Sequence, residues 1–239
     1  MGNRQGVGDA RLALRRRGTW LFALVLVLSL VAGDREGVRA RGAARPLDYH
    51  AMVLNGRIVG SAFVIARGVG VTNAHVLHGR QPGDAVVLLT SGTHDRVEVR
   101  VRAISHRMDL ALLDVPADLM PAVIPAPGDA AAGQQAVAAG VDAGGPAWPG
   151  PLSEAAGEVT DPAIDLAAFG SGLILRMPRA RPGFSGGPLF DAQGRLLGMV
   201  SAIRTGTAAG GFGGRAETEA FALGAQAIRA EAARLLAGG

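Results

Sequence analysis

The sequence predicts an all-β protein with antiparallel strands. From about Pro46 onward, short apolar runs are separated by Gly, Pro, Asn and Asp, and residues 96–102 alternate strictly between charged and apolar side chains. Asn55-Gly56, which lies between two apolar runs, is typical of a tight hairpin turn. Many short strands with closely spaced turn signals indicate a β-sandwich or a β-barrel.

Composition excludes several other classes of protein. The chain has 239 residues, of which 49% are hydrophobic, and it contains no cysteine. That is enough apolar material for one large domain or two small ones, and it argues against disorder and against a disulfide-based scaffold. Stability must therefore come from packing.

The distribution of charge argues against nucleic acid as a partner. Residues 1–33 contain five arginines and one acid, which already equals the formal net charge of +4. From Asp34 onward, 19 arginines balance 19 acids. A neutral body lacks the basic surface that neutralising a phosphate backbone requires.

Residues 1–33 predict a secretory signal peptide, with an uncleaved N-terminal membrane anchor as the alternative. Three arginines at positions 15–17 precede an apolar run of about a dozen residues, whereas a membrane span needs about 20. We expect removal near Ala32 or Gly33, and export to the periplasm or the extracellular medium. Residues 34–45 are polar and Arg-rich and are expected to form a linker, so contact with a membrane is expected only through an uncleaved leader.

The strands fall into two sets that are joined by a proline-rich connection, residues 116–128. Loops are expected at residues 142–150 and 205–215, where Gly and Pro are frequent. Ile228, Ala232, Leu235 and Leu236 recur at helical spacing, which predicts a short amphipathic helix over residues 225–237. The expected strands are residues 51–54, 58–65, 85–89 and 96–102 in the first set, and 135–141, 157–159, 172–177, 188–190, 196–203 and 220–223 in the second.

Three segments contain side chains that could take part in chemistry: residues 71–76, 108–113 and 181–189. They contain His75, Asp109 and Ser185 in that order. An isolated His or Asp beside a strand is often structural. The run from Gly183 to Pro188 is more specific, because glycines around one serine form a tight turn in which backbone amides can converge.

With these motifs, the sequence resembles the trypsin-like serine proteases, and among them the bacterial secreted branch that includes the high-temperature-requirement proteases. The resemblance covers roughly residues 51–223. It implies two six-stranded antiparallel β-barrels of the chymotrypsin type, with a short C-terminal helix and the catalytic cleft between the barrels. The protease domain is then residues 46–239, with the first barrel at 46–125 and the second barrel and the helix at 126–239.

The resemblance also implies roles for the three residues. Ser185 is the nucleophile, His75 is the base that accepts its proton, and Asp109 orients the imidazole. The backbone N–H groups of Gly183 and Ser185 form the oxyanion hole. On composition alone, Asp84 or Asp114 could replace Asp109, but only Asp109 precedes the apolar run that the family motif shows.

Other ligands are not expected. His75 and His78 are three residues apart, but further ligands at metal spacing are missing from the sequence around them, so we expect no metal site. The other four histidines, His50, His78, His94 and His106, are expected to be surface or packing residues. The triad mechanism needs no metal or organic cofactor.

The sequence departs from the family next to the nucleophile. Activatable members have an aspartate before the serine, which pairs with a new amino terminus, whereas this chain has Phe184. We expect packing, with Phe184 buried, to order the oxyanion loop instead. The family's peptide-binding module is expected to be absent, because only 16 residues follow Leu223.

By resemblance, the strand at Ser201, Ala202 and Ile203 pairs with the substrate backbone. Ile203 stands where an open pocket has glycine, and Arg179 lies near the expected pocket floor, where trypsin has an acid. A small or medium aliphatic side chain is therefore expected in the pocket, with an acidic one paired to Arg179 as the alternative.

The sequence thus predicts an exported serine endopeptidase that hydrolyses polypeptides through an acyl-enzyme intermediate. The alternative is a catalytically silent peptide-binding protein of the cell envelope, which Phe184 motivates. The oligomeric state is not predicted.

Overall fold

The computed structural model describes residues 45–167, 169–205 and 218–238, which form twelve strands, two short 3₁₀ helices and one α-helix. The predicted signal peptide, almost all of the predicted linker and most of the loop predicted at 205–215 lie outside these residues. No helix among the described residues is both long enough and apolar enough to cross a membrane.

The first six strands form a closed antiparallel barrel. They are β1 (Ala51–Asn55), β2 (Ile58–Ala66), β3 (Val69–Thr72), β4 (Ala85–Thr90), β5 (Arg96–Ile104) and β6 (Ala111–Asp114). Their order around the barrel is β1-β2-β3-β6-β5-β4, and the pairing of β1 with β4 closes it. Closure leaves every strand with a neighbour on both sides.

Two local predictions in this barrel are confirmed. β1 and β2 form the hairpin expected at Asn55-Gly56, although Asn55 still pairs with Ile58, so that Gly56 and Arg57 make the turn. Gly56 has a φ of 61°, which glycine adopts without strain. Along β5, Val99 and Val101 are buried between exposed charged residues, as the alternation predicts.

The remaining six strands form a second closed barrel. They are β7 (Gln135–Val141), β8 (Leu152–Leu166), β9 (Gly170–Arg176), β10 (Pro188–Asp191), β11 (Leu196–Thr205) and β12 (Thr218–Gly224). The order is β10-β11-β12-β9-β8-β7, with β7 against β10. The predicted fold class, two six-stranded antiparallel barrels, is therefore confirmed.

Strand β8 is much longer than the expected residues 157–159. It runs from Leu152 to Leu166 and includes Pro162. Proline lacks the N–H that a strand donates, and the pairing of β8 with β9 is irregular between Asp161 and Ile164, where Pro162 lies. Only Ala155 and Val159 of its 15 residues are buried, so its sequence lacks the regular apolar alternation that predicts a strand.

Three apolar clusters hold the fold together. One fills each barrel, and the third lies between them and contains Phe63 from β2, Phe190 from β10 and Phe221 from β12. Burial of such side chains contributes about 1.5–3 kcal/mol each. The contact between the barrels is thus a part of the core.

The predicted C-terminal helix is confirmed as α1 (Ala225–Leu236). Ile228 and Ala232 are buried in the cluster between the barrels, whereas Leu236 is 40% exposed and is not part of the buried face that its spacing suggested. Leu236 is the last residue of the helix.

The same helix also supplies a buried carboxylate. Glu231 is 5% exposed and accepts hydrogen bonds from Ser105 Oγ at 2.5 Å and from Arg234 at 2.7 and 2.9 Å. Ser105 Oγ in turn accepts the N–H groups of Arg107 and Met108, at 3.0 and 3.2 Å. Glu231 therefore ties the helix to the loop that leads into Asp109.

We expect Glu231→Gln to lower the free energy of unfolding at pH 7 by about 1.5–3 kcal/mol, because it removes the charge from these hydrogen bonds. Hydrogen bonding to Arg234 lowers the pKa of Glu231 below its usual 4.5. This stabilisation is therefore present above about pH 4.5 and is lost as the pH falls below it. The difference from wild type should shrink between pH 7 and pH 3 in urea unfolding. Glu154→Gln, at an exposed position, is the control, and an equal effect of both changes at pH 7 would contradict the assignment.

Candidate active site

His75 lies on a 3₁₀ helix, Ala74–Leu77, that begins soon after strand β3. Asn55, at the end of β1, donates its side-chain amide to the carbonyls of Val76 and His78, each at 3.1 Å. These bonds hold the short helix to the first barrel, while 47% of the His75 side chain stays exposed to solvent. The backbone of His75 is therefore fixed, and its imidazole ring is accessible.

Asp109 binds His75 through both carboxylate oxygens. Oδ2 lies 2.8 Å from His75 Nδ1, and Oδ1 accepts the backbone N–H of His75 at 3.0 Å. A carboxylate only accepts hydrogen bonds, so Nδ1 must carry the ring proton when the imidazole is neutral. Nε2 then has a free lone pair, which is the state that a general base requires.

Asp109 is itself held from two sides. Its backbone carbonyl accepts a hydrogen bond from the side-chain amide of Asn73 at 2.8 Å, and its N–H donates to Phe169 O at 2.9 Å. The Asn73 amide also donates to Ser201 Oγ at 2.7 Å. Asn73 comes from the first barrel and Ser201 from the second, so Asn73 joins the aspartate to the strand beside the serine.

Ser185 lies in the loop between β9 and β10 and is half-buried. Its hydroxyl donates to Ser201 O at 3.4 Å, and no hydrogen bond joins it to His75 among the described residues. The two segments are nevertheless adjacent: a Cβ on Gly60 would lie 2.7 Å from Val76 Cγ1 and 3.1 Å from Ser185 O. Rotation about χ1 moves a serine hydroxyl without moving the backbone, and catalytic hydrogen bonds often form only with substrate.

The loop before Ser185 has its carbonyl groups fixed. Pro182 O accepts the N–H of Ala143, and Gly183 O accepts the hydroxyl of Ser61, both at 2.8 Å. In a trans peptide the N–H points away from the carbonyl, so the Gly183 N–H faces away from Ala143. Gly183 has a φ of 102°, and a Cβ there would lie 2.4 Å from Val141 O, so only glycine fits.

Phe184 is fully buried in the core of the second barrel, as expected. Its ring lies against Gly140 of β7, where a Cβ would be 2.5 Å from Phe184 Cγ. The ring therefore occupies the space that a side chain at position 140 would need.

The strand expected to bind substrate has a free edge. On one side of β11, Ala202 and Ile203 pair with Phe221 and Ala220 of β12. On the other side, β10 pairs only as far as Met199, so residues 201–205 have no strand partner there among the described residues. Ser201 itself is buried, and Ala202 and Ile203 are partly buried.

A cavity beside Ser185 is lined in part by Ile203, as expected, but Arg179 is exposed and does not line it. Arg181 lines the cavity instead, and its guanidinium donates to Pro178 O and Ala180 O at 3.0 and 2.9 Å. The other described lining residues are Pro178, Ala180, Pro182, Thr205 and Thr218. Arg179 therefore lies outside the described cavity lining, and its expected role in the pocket stays a prediction.

The alternative acids and histidines lie elsewhere. Asp114 is exposed and pairs with Arg102, and Asp84 accepts the N–H of Gln81. Three other histidines, His78, His94 and His106, are exposed, whereas His50 is buried. Among the described residues, no group of three or more His, Asp and Glu side chains could hold a metal ion.

Comparisons with known proteins agree with this fold. A family model described as the trypsin-like peptidase domain matches residues 60–199. The sequence has no significant match among curated proteins. Solved structures give a likeness to Rv3671c from M. tuberculosis H37Rv, as a serine-to-alanine mutant in its inactive form, with 25% identity and a TM-score of 0.62 over 80% of this chain and 88% of that one.

Two further structures are similar in fold at lower identity. The HtrA-type protease AlgW, solved with a tripeptide, is 22% identical, with a TM-score of 0.63 over 80% of this chain and 62% of that chain. The serine endoprotease from Yersinia pestis is 17% identical, with a TM-score of 0.62 over 79% of this chain and 63% of that chain.

We expect Gly140→Ala to destabilise the protein by about 1–3 kcal/mol, because the added methyl group overlaps the Phe184 ring. Gly140→Ala combined with Phe184→Ala should cost less than the sum of the two single changes, since alanine has no Cγ for the added methyl group to overlap. Thermal unfolding measures both, with Gly92→Ala as a control because a Cβ at Gly92 meets nothing within 4 Å. If Gly140→Ala and Gly92→Ala melt at the same temperature, the proposed packing of Phe184 is wrong.

Proposed function

We propose, from the premise that the chain belongs to the trypsin-like peptidase family and is a serine endopeptidase, that His75, Asp109 and Ser185 are its catalytic triad. The single observation that carries this assignment is the double contact of Asp109 with His75, at 2.8 and 3.0 Å. It supports a neutral imidazole whose Nε2 is free to accept a proton. Asp109 is 7% exposed, so its charge acts on His75 with little screening by water.

The reaction then proceeds through an acyl-enzyme. Ser185 Oγ attacks the scissile carbonyl carbon while its proton moves to His75 Nε2. The C–N bond breaks, the protonated His75 returns this proton to the leaving amine, and Ser185 keeps the acyl group. Water, activated by the same imidazole, hydrolyses the ester and regenerates the hydroxyl. No metal or organic cofactor takes part in this sequence of steps.

The N–H groups of Gly183 and Ser185 stabilise the negative charge that develops on the carbonyl oxygen. The fixed carbonyls of Pro182 and Gly183 support this role, because they orient the peptides on both sides of Gly183. Preorganised donors of this kind cost no reorganisation during the reaction, and in other enzymes each contributes about 3–4 kcal/mol.

The substrate is a polypeptide whose backbone adds to the free edge of β11 at residues 201–205. The bulge at Ser201 turns this end of the strand, because the pairing with β12 shifts between Val200 and Ala202. Backbone hydrogen bonds supply affinity in this arrangement, and the neighbouring cavity selects one side chain. Ile203 and Ala180 in the cavity lining favour a small or medium aliphatic side chain there.

The protein acts after export. The composition of residues 1–33, a basic segment before an apolar run, supports a signal peptide or an N-terminal anchor. The periplasm and the extracellular medium are oxidising. This chain has no cysteine, so it has no thiol that could be oxidised there.

We expect a fluorophosphonate probe to label the purified protein at Ser185, because the probe reacts with serines that a neighbouring base activates. Ser185→Ala should abolish labelling, and His75→Ala should slow it at least about 100-fold. His78→Ala, which changes an exposed histidine of the same segment, is the matched control. Fluorescence after electrophoresis measures the rate, and an unlabelled but folded wild type would exclude the protease.

A catalytically silent peptide-binding protein is the second candidate function. The observation that favours it is the hydrogen bond of Ser185 Oγ to Ser201 O, which uses the hydroxyl away from His75. It requires peptide affinity that Ser185→Ala leaves unchanged, and no product after long incubation. Isothermal titration with library peptides separates this candidate from the protease.

We expect cleavage of a peptide library to show a preference for valine or alanine before the scissile bond. Ile203→Gly should shift the preference toward larger residues, because it removes the branched side chain from the cavity lining. Arg181→Ala and Arg179→Ala show which of the two arginines affects this side-chain preference. A preference for acidic residues that only Arg179→Ala abolishes would restore the role first assigned to Arg179.

A further inference from the structure

A row of buried polar side chains runs through the first barrel to the oxyanion loop, and the triad does not use it. Ser91 Oγ lies 2.6 Å from His50 Nδ1, and His50 Nε2 lies 2.8 Å from Ser61 Oγ. Ser61 Oγ is 2.8 Å from Gly183 O. His50 and Ser61 are 1% and 0% exposed, so water does not satisfy these groups.

The directions of these hydrogen bonds follow from the last acceptor. A carbonyl only accepts, so the Ser61 hydroxyl donates to Gly183 O and must accept from His50. His50 therefore carries its proton on Nε2, and its Nδ1 accepts from the Ser91 hydroxyl. Burial lowers the pKa of His50 to about 3, so the ring is neutral and carries this one proton at physiological pH.

Ser61 also holds the nucleophile itself. Its backbone N–H donates to Ser185 O at 2.8 Å, and its carbonyl accepts the Thr72 hydroxyl at 2.7 Å. One residue of β2 thus contacts the peptide that follows Gly183 and the peptide that follows Ser185. The hydroxyl contact fixes the Gly183 carbonyl, and the amide contact fixes the Ser185 carbonyl.

Gly183 needs such a contact because it has no Cβ to restrict its backbone rotation. Rotation at Gly183 could turn the peptide before it so that the Pro182 carbonyl, instead of the Gly183 N–H, pointed at the substrate oxygen. Ala143 holds the peptide before Gly183, and Ser61 holds the one after it. With both peptides fixed, the donor stays oriented in the absence of substrate.

We propose that Ser61, oriented by His50, is a positioning residue that keeps the oxyanion loop in its donor conformation. The proposal rests on the proposed function, since the loop has a catalytic role only if Ser185 is the nucleophile. His50 does not touch the substrate and acts only through the Ser61 hydroxyl.

The test compares Ser61→Ala and His50→Phe with wild type, and Ser171→Ala, at an exposed serine, is the control. We expect Ser61→Ala to lower kcat about 10- to 100-fold on the best library peptide and to change KM less than about twofold. The aldehyde of that peptide, which forms a tetrahedral oxyanion adduct, should bind weaker by the same factor. The primary amide, which forms none, should bind equally. Adding His50→Phe to Ser61→Ala should lower kcat no further.

Hydrogen–deuterium exchange of residues 181–187 supplies a readout that does not need activity. Exchange there should rise in Ser61→Ala and His50→Phe, while the rest of the first barrel keeps wild-type protection. Unchanged exchange with unchanged kcat and aldehyde affinity would overturn the proposal, even if the fluorophosphonate still labels Ser185. Equal weakening of aldehyde and amide would also overturn it, because a general loss of structure affects both ligands. Failure of the probe to label wild type refutes the protease function instead and leaves the exchange result to decide the role of Ser61.

Discussion

The hydrogen bond from Ser61 N–H to Ser185 O joins strand β2 of the first barrel to the nucleophile loop of the second. The proposed base and its carboxylate partner come from the first barrel and the proposed nucleophile from the second, so the proposed site requires the barrels to meet in one orientation. Apolar contacts bring the barrels together but have no directional preference. The buried hydrogen bonds of Ser61 and of Asn73, which reaches Ser201, supply that direction. If the barrels were misaligned, these buried polar groups would lose their hydrogen-bond partners. Burying unpaired polar groups is unfavourable, so a misaligned pair of barrels is disfavoured.

Features that depend on neighbours in the chain could be predicted from the sequence. The alternation along β5, the hairpin at Asn55 and the turn around Ser185 arise from local steric and burial patterns. The residues that hold the site were not recognised, because their partners are remote: Asn73 contacts Ser201, 128 positions away, and Ser61 contacts Gly183, 122 positions away. His50 was expected to be a surface or packing residue, because nothing in its sequence neighbourhood indicates two serine partners.

The departures from expectation have physical reasons of the same kind. Only two residues of strand β8 are buried, so its backbone pairing with β7 and β9 holds it in place without an apolar pattern that a sequence could reveal. Phe184, in contrast, could be predicted to be buried, because its apolar ring cannot form the ion pair that an aspartate makes at this position in activatable members. Gly140, which packs against the Phe184 ring, lies 44 positions earlier on strand β7. Glycine is too common in this chain for the sequence to indicate that one position. The choice between Arg179 and Arg181 depends on side-chain direction within one loop, which spacing does not determine.

Closure of both barrels has a consequence for behaviour in concentrated solution. A sheet with open borders can recruit strands from other molecules and grow into aggregates, and a closed ring offers no such border. Among the described residues, the stretch of β11 beyond Val200 is paired on one side only, and it coincides with the edge at which we propose that an extended peptide binds. A second copy of the chain would compete with peptide for that stretch. A peptide bound there therefore also disfavours self-association through this edge.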